Sequence, residues 1–309
     1  MPGAGESPRV HKGPSRADFD AANEKINART GRPLLLAIIV GVGLGAGLLL
    51  SLLIVKELFM LFAAALIVTA AFEFATALRV ANRKVPRIPV IIAAAAIVPA
   101  SFYAINPEAG LTREAGQLIA AAGGIVLITV WRLLSLALAS KRQSPALVVR
   151  DIGAGAFVVL YVMFLGSFFV LLTARDGGQW WTLASLVVVV CVDTGAYATG
   201  LSFGKHLMAP NISPKKTWEG FAGSVAAAVL AGVLLALFML QQPWWVGVIL
   251  GLTIVVTATV GDLTESLIKR DLGTKDMSTW LPGHGGLLDR LDSALPSAAA
   301  AYALFIIFT

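Results

Sequence analysis

Nine apolar runs occupy most of the chain, at residues 34–55, 58–78, 88–105, 117–138, 152–174, 180–200, 221–240, 244–261 and 294–308. Most reach the roughly 20 residues that a helix needs to cross a bilayer. Hydrocarbon holds no water to satisfy peptide N–H and C=O groups, so each run must bond its own backbone as a helix. The expected fold is all-α: a polytopic integral membrane helical bundle of about nine transmembrane helices. The count carries an error of one, because the last run is short and the fourth contains Arg132. Composition agrees, with 57% hydrophobic and only 14% charged residues, outside the range of soluble domains. No P-loop of the GxxxxGK[ST] type and no GxGxxG after a strand is present, so no soluble nucleotide fold is expected. Residues 1–32 are polar and lack the apolar core of a signal peptide. Their composition predicts a disordered tail, followed by an N-terminal membrane region at 33–175 and a C-terminal one at 176–309.

Basic residues orient the bundle. Setting Arg132 aside, 20 Lys and Arg fall in the tail and in the connections after even-numbered runs; Lys56, Arg113 and Arg175 alone fall on the other side. Membrane proteins retain positive charge on the cytosolic side. The N-terminus and the even-numbered connections are therefore expected in the cytosol, in a bacterial-type inner (plasma) membrane. Trp180, Trp181, Trp244 and Trp245 then sit at outer helix ends, as an interfacial belt would. The isoelectric point near 9.6 follows from this topology and an anionic lipid leaflet as partner. It does not point to nucleic acid, since no basic surface is interleaved with exposed aromatics. Cys191 is the single cysteine, which leaves no intrachain disulfide or thiolate cluster and predicts a small packed hydrophobe. Gly41, Gly43, Gly45 and Gly47 have small-xxx-small spacing, which permits close helix approach within the chain or across a homodimer.

Four ionisable residues fall within the apolar runs or at their ends: Glu73, Arg132, Asp193 and Asp262. Each costs about 2.5–3.5 kcal/mol at the centre of a helix, less near an end. All four lie toward the same side. Arg132 is long enough to snorkel to the interface. Asp193 is too short for that and is expected to face a polar cavity.

Two connections concentrate polar chemistry on that side. Residues 262–292 hold Asp262, Lys269, Arg270, Lys275, Asp276, His284, Asp289, Arg290 and Asp292. Carboxylates and cations mixed in this way suit the handling of phosphates with a divalent cation. Gly283, Gly285 and Gly286 are costly to order and offer bare backbone N–H groups between the charges. In residues 201–220, Ser213 or Thr217 can cap the following helix, whose N-terminus attracts anions. Lys215 and Lys216 add positive charge there.

Ser266, Lys269, Arg270, Lys275, Asp276, Ser278, Leu281, Pro282, His284, Gly285, Gly286, Asp289, Arg290 and Asp292 stand in fixed spacing. This pattern resembles the complete signature of the phosphatidate cytidylyltransferases, the CDP-diacylglycerol synthases. Asp193-Thr194-Gly195-Ala196-Tyr197, Phe203-Gly204-Lys205 and Ser213 to Gly220 are similar to an upstream block of that family. The resemblance covers the second half of the chain in detail and the first half only as a hydropathy pattern.

The resemblance implies a reaction in which CTP and phosphatidic acid give CDP-diacylglycerol and pyrophosphate. It makes 176–309 the catalytic region, with cytosolic loops at 201–220 and 262–292 opening on a polar funnel at the cytosolic face. Mg²⁺ is the implied cofactor, with Asp262 and Asp289 as its first ligands and Asp193 and Asp292 as second choices. A second, monovalent cation is consistent with the family. Lys215, Lys216, Lys269, Arg270 and Arg290 are expected to hold phosphates. His284, Gly285 and Gly286 are expected to line the nucleotide side, and Ser213 and Thr217 the phosphate-binding turn. The signature says little about hydrophobic tails, so an isoprenoid or ether-linked lipid phosphate is the alternative acceptor. A multispan anion transporter is the alternative class; it would more often show internal repeats and interrupted midplane helices.

Overall fold

The computed structural model describes residues 34–103, 111–138, 143–274, 276–278 and 285–309. The tail expected at 1–32 lies outside them. Helices α1 (Leu34–Ile54), α2 (Lys56–Val80), α3 (Arg87–Phe102) and α4 (Arg113–Ala137) open the chain. Next comes α5 (Pro145–Val158), which passes through a π-helical turn (Val159–Phe164) into α6 (Leu165–Ala174). After α7 (Gly178–Phe203), strands β1 (Leu207–Ala209) and β2 (Ser213–Thr217) lead to α8 (Trp218–Phe238) and α9 (Trp244–Asp271). The short α10 (Leu288–Leu291) and α11 (Ala294–Phe308) end the chain.

Among the described residues seven helical stretches are long and apolar enough to cross a membrane. Apolar residues Ile39–Ile54 and Arg87–Phe102 are helical but shorter. All nine expected runs thus contain helix, and among the described residues length and composition support seven of them as spans. The protein is an all-helical polytopic membrane bundle with one addition, an antiparallel hairpin that pairs Leu207 with Thr217 and Ala209 with Ser213. The sequence predicts a capped turn in this segment. Five residues of β2 are too short for an alternating pattern to stand out from turn chemistry.

Phe74, Ile97, Met163, Leu171, Leu172, Leu250 and Ile254 are fully buried at the centre, whereas Leu61, Leu118, Val126, Leu230 and Val256 face outward. An apolar exterior of this kind suits lipid, where the hydrophobic effect gives helices no reason to associate and close packing must do so. Glycines supply it between α8 and α9: a Cβ on Gly247 would lie 2.4 Å from the carbonyl oxygen of Gly232. In α1, Gly47 packs against Phe62, but a Cβ on Gly43 or Gly45 would meet nothing within 4 Å. Of Gly43, Gly45 and Gly47, only the last packs closely within the chain.

The two ends of the bundle differ. At one end Lys56 Nζ donates to the Arg175 carbonyl at 2.8 Å and pairs with Asp176 at 3.6 Å. Arg113 Nε donates to the Phe102 carbonyl there, and Arg175 pairs with Glu114, which also accepts from the Tyr302 hydroxyl. The three basic residues assigned to one side by the sequence do share an end. The polar loops lie at the other.

Two readings of local sequence change. Arg132 does not snorkel: it is 4% exposed and bonds Asp151, itself 3% exposed, through Nε (3.1 Å) and Nη2 (2.8 Å). Trp181 is 3% exposed and packs edge-on against Phe305 rather than joining an interfacial belt, while Trp180, Trp244 and Trp245 are exposed as expected.

Candidate active site

The site begins where α7 meets α8. A Cβ on Gly223 would lie 2.0 Å from Thr199 Oγ1, one on Gly195 would lie 2.7 Å from Ala227 Cβ, and one on Gly220 would lie 3.4 Å from Gly200 Cα. Only hydrogen at these positions lets the two backbones approach so closely. The approach sets the Asp193 turn of α7 beside the N-terminus of α8. Thr217 caps α8, its hydroxyl accepting from Gly220 N at 3.1 Å, so the helix start is ordered before any ligand arrives. Glu219 accepts from the backbone N–H groups of Lys205 (3.0 Å) and His206 (3.1 Å) and meets His206 Nδ1 at 2.5 Å. That carboxylate ties the start of the hairpin to the first turn of α8.

These elements enclose a cavity of about 320 Å³, lined by Asp193, Ser213, Lys215, Lys216, Thr217 and Asp262 among others. Lys216 Nζ pairs with Asp262 at 2.5 Å. Lys215 is exposed at the mouth. A helix N-terminus and two lysines attract an anion here, facing two aspartates that alone would repel one.

The end of α9 forms the adjoining wall. Asp262, Glu265, Ser266 and Lys269 follow helical spacing and so share one face. Ser266 Oγ donates to Asp262 at 3.4 Å. Lys269 Nζ bridges Glu265 (2.7 Å) and Asp289 (2.9 Å). Asp289 also accepts from Met277 N (3.1 Å) and Gly286 N (2.7 Å). A second carboxylate, Glu73 from α2, accepts from Ser278 Oγ (2.6 Å) and Leu288 N (3.0 Å). Two carboxylates from opposite sides thus hold the described parts of the loop before α10. Gly285, at φ +80°, takes a backbone conformation that other residues rarely adopt, and a Cβ on Gly286 would lie 3.0 Å from Glu73 Oε2. Bare backbone there admits both carboxylates.

The structure places the expected residues in two neighbouring groups. Asp193, Asp262, Ser213, Thr217, Lys215 and Lys216 share the cavity. Lys269 and Asp289 form the loop anchor beside it. Asp292 interacts electrostatically with Asp262 and Asp193, and Arg290 with Asp193, which joins the groups. Arg270 is turned toward the hairpin, its Nε donating to the Ile212 carbonyl at 3.3 Å. His284 and Lys275 lie outside the described residues.

Sequence reading passed over Glu265, which is 0% exposed and whose Oε1 lacks a hydrogen-bond partner among the described residues. Its signal was a carboxylate one helical turn from Asp262. Tyr161 was also passed over. The π-helical turn carries its buried hydroxyl to within electrostatic reach of Glu265, Asp292 and Asp262, and such turns are frequent at functional sites.

Among the described residues no three Asp, Glu, His or Cys side chains converge into a ready-made metal cage. The donor chemistry nevertheless fits Mg²⁺, which is usually bound by one or two carboxylates together with substrate phosphates rather than by an all-protein cage. Asp193, Asp262, Glu265, Asp289 and Asp292 crowd together against Lys216, Lys269 and Arg290, so carboxylates outnumber the cations among them.

A helical membrane protein with basic and carboxylate groups gathered at one bundle end fits a class, that of integral membrane proteins handling phosphorylated substrates at the bilayer surface. Sequence comparison makes the assignment specific. Residues 35–308 match the Cytidylyltransferase family, and the chain belongs to it. It is 38% identical over 282 residues to the phosphatidate cytidylyltransferase of Mycobacterium bovis, covering 89% of each chain. The protein of that name in Mycobacterium leprae is 36% identical over 288 residues, 91% of this chain and 90% of its own. That of Brucella suis is 36% identical over 202 residues, 65% of this chain and 68% of its own.

Proposed function

We propose that this membrane protein transfers the cytidylyl group of CTP to phosphatidic acid, giving CDP-diacylglycerol and pyrophosphate for phospholipid biosynthesis. The observation that carries the reading is the cavity in which the capped start of α8 and two lysines face Asp193 and Asp262. Family membership and the named relatives support it. A phosphate oxygen of the lipid attacks the α-phosphorus of CTP, the new P–O bond forms, and the bond to the β-phosphate breaks with its electron pair leaving on pyrophosphate. The attacking oxygen belongs to the substrate, so no protein nucleophile is required.

Both substrates are polyanions, and catalysis consists of offsetting their repulsion and stabilising charge on phosphoryl oxygens. Lys215, Lys216 and the N–H groups at the start of α8 hold phosphates from one side; Lys269 and Arg290 do so from the other. Arg270 fixes the hairpin against α9 and adds positive charge at its rim. Gly285 and Gly286 let Glu73 and Asp289 set the described part of the loop on the nucleotide side; the same role for His284 rests on the sequence alone. Mg²⁺ would be held by Asp262 and Asp289, with Asp193 and Asp292 beside them, and would neutralise phosphate charge. A second, monovalent cation fits the same carboxylate surplus. The excess of basic residues at this end supports a cytosolic site and N-terminus in the inner membrane, where soluble CTP and a lipid phosphate meet.

The test is turnover by purified protein in micelles with CTP, Mg²⁺ and a panel of lipid phosphates. Diacyl phosphatidate should be converted to CDP-diacylglycerol without a membrane gradient. Lys215→Ala should slow the reaction by roughly 10²–10³, the usual loss when one electrostatic donor to a transition state is removed. Preference for an isoprenoid phosphate would replace the proposed acceptor. A folded protein that forms no CDP-lipid would overturn the assignment.

A further inference from the structure

We propose that a second cavity, separate from the active site but at the same end of the bundle, binds the phosphate of an anionic phospholipid headgroup. Its volume is about 600 Å³, and Arg79, Lys84, Arg87, Trp131, Arg132 and Gln143 are among its lining residues. None of these residues lines the active-site cavity. They come from the continuous segment that joins the end of α2 to the start of α3, from the end of α4 and from the segment before α5, so three stretches of chain meet at one spot.

The wall is built, not merely decorated. Asp151 takes Arg132 on one oxygen and the backbone N–H of Lys84 on the other at 3.1 Å. Gln143 Oε1 accepts from Arg132 Nη2 at 2.6 Å. The guanidinium is thereby fixed and its charge balanced by Asp151. The remaining cations have no such balance: among the described residues, Arg79, Lys84 and Arg87 have no carboxylate partner. Arg87 stacks over Phe72 at 5.5 Å, and its Nε is buried without a hydrogen-bond partner among the described residues. A buried donor without an acceptor is unfavourable, and an anion beside this guanidinium would lessen that cost. Lysines and arginines that serve only as topology signals point apart into water. Here all three line one cavity, and the positive charge they share would draw an anion into it.

The lip of the cavity favours a lipid over free phosphate. Ile88 and Trp131 are exposed among its lining residues, and Ile91, Ile92 and Leu134 continue an apolar surface along α3 and α4. A headgroup phosphate can enter while its acyl chains remain on that surface. Trp at such a level presents an apolar body and a polar edge.

Native mass spectrometry of the delipidated full chain, titrated in detergent with phosphatidylglycerol, phosphatidylcholine or inorganic phosphate, tests the proposal. Phosphatidylglycerol should be retained and phosphatidylcholine should not. Arg79→Gln/Arg87→Gln should weaken phosphatidylglycerol binding about 30-fold, the loss expected for two basic side chains at an anionic surface. Arg79→Gln/Lys84→Gln, which changes only exposed side chains, should act alike if the first variant folds poorly. Both variants should keep cytidylyl transfer, and Lys215→Ala should keep the lipid. Equal retention by wild type and both variants would overturn the site. Full displacement of the lipid by equimolar inorganic phosphate would assign the cavity to the free ion and overturn the lipid.

Discussion

A charge inside a membrane protein has to be explained by its partner, and here two such contacts tie together separate parts of the chain. Arg132 and Asp151 bring α4 against α5, and Glu73 of α2 reaches Ser278 and Leu288 across more than 200 residues of sequence. The sequence marks Glu73 and Arg132 as costly, because charge in an apolar run is visible at once. Their partners are not visible: no local period links residue 73 to 278. Removing one member of a buried pair leaves the other uncompensated, at about 3–5 kcal/mol. Arg132→Ala should therefore lower the thermal unfolding midpoint in detergent strongly, and adding Asp151→Ala should recover part of the loss. A double variant less stable than the single would show that Asp151 has other partners strong enough to hold it. Glu73→Ala removes the acceptor that Ser278 Oγ and Leu288 N share, and should reduce turnover more than it reduces stability, since it loosens the loop that Asp289 also holds.

At the scale of elements, small residues determine where the site forms. Gly195, Gly200, Gly220 and Gly223 let α7 and α8 touch, and that contact aligns Asp193 with the capped start of α8. Overpacking a tight contact costs about 1–3 kcal/mol. Gly223→Val should push α7 from α8, raising the KM for CTP and lowering kcat while leaving extractable protein. Gly43→Val, where a side chain would meet nothing within 4 Å, should change neither. Thr199→Ala should partly rescue Gly223→Val, because Thr199 supplies the obstructing atoms; failure to rescue would place the damage elsewhere. The helices themselves were legible from hydropathy, as were Thr217 as a cap and the polar turn before α8. The hairpin was not, because five residues rich in Lys, Pro and Ser carry no alternating signal. Trp181 was misread for a related reason. Paired tryptophans near a helix end suggest an interface, and only the position of Phe305 shows that one of them is core.

The whole molecule is polar in the sense that matters for its chemistry. Lys56, Arg113 and Arg175 gather at one end with Glu114, Asp176 and Tyr302, and the cavity, the loop anchor and the second basic cavity occupy the other. Either end could in principle face the cytosol on geometry alone. The proposed cytosolic site rests on sequence charge: 20 Lys and Arg fall in the tail and the even-numbered connections and three in the others, the kind of bias that sets orientation during insertion. CTP is soluble and highly charged, so an enzyme that consumes it must open to the compartment that holds it. With Cys191→Ser removing the native thiol, cysteines introduced at Ser144 or Ser278 should be shielded from an impermeant maleimide in intact cells and react after permeabilisation. A cysteine at Gln242, between α8 and α9 at the far end, should react in intact cells. Labelling of the Ser278 position from outside would reverse the orientation and separate the site from its nucleotide.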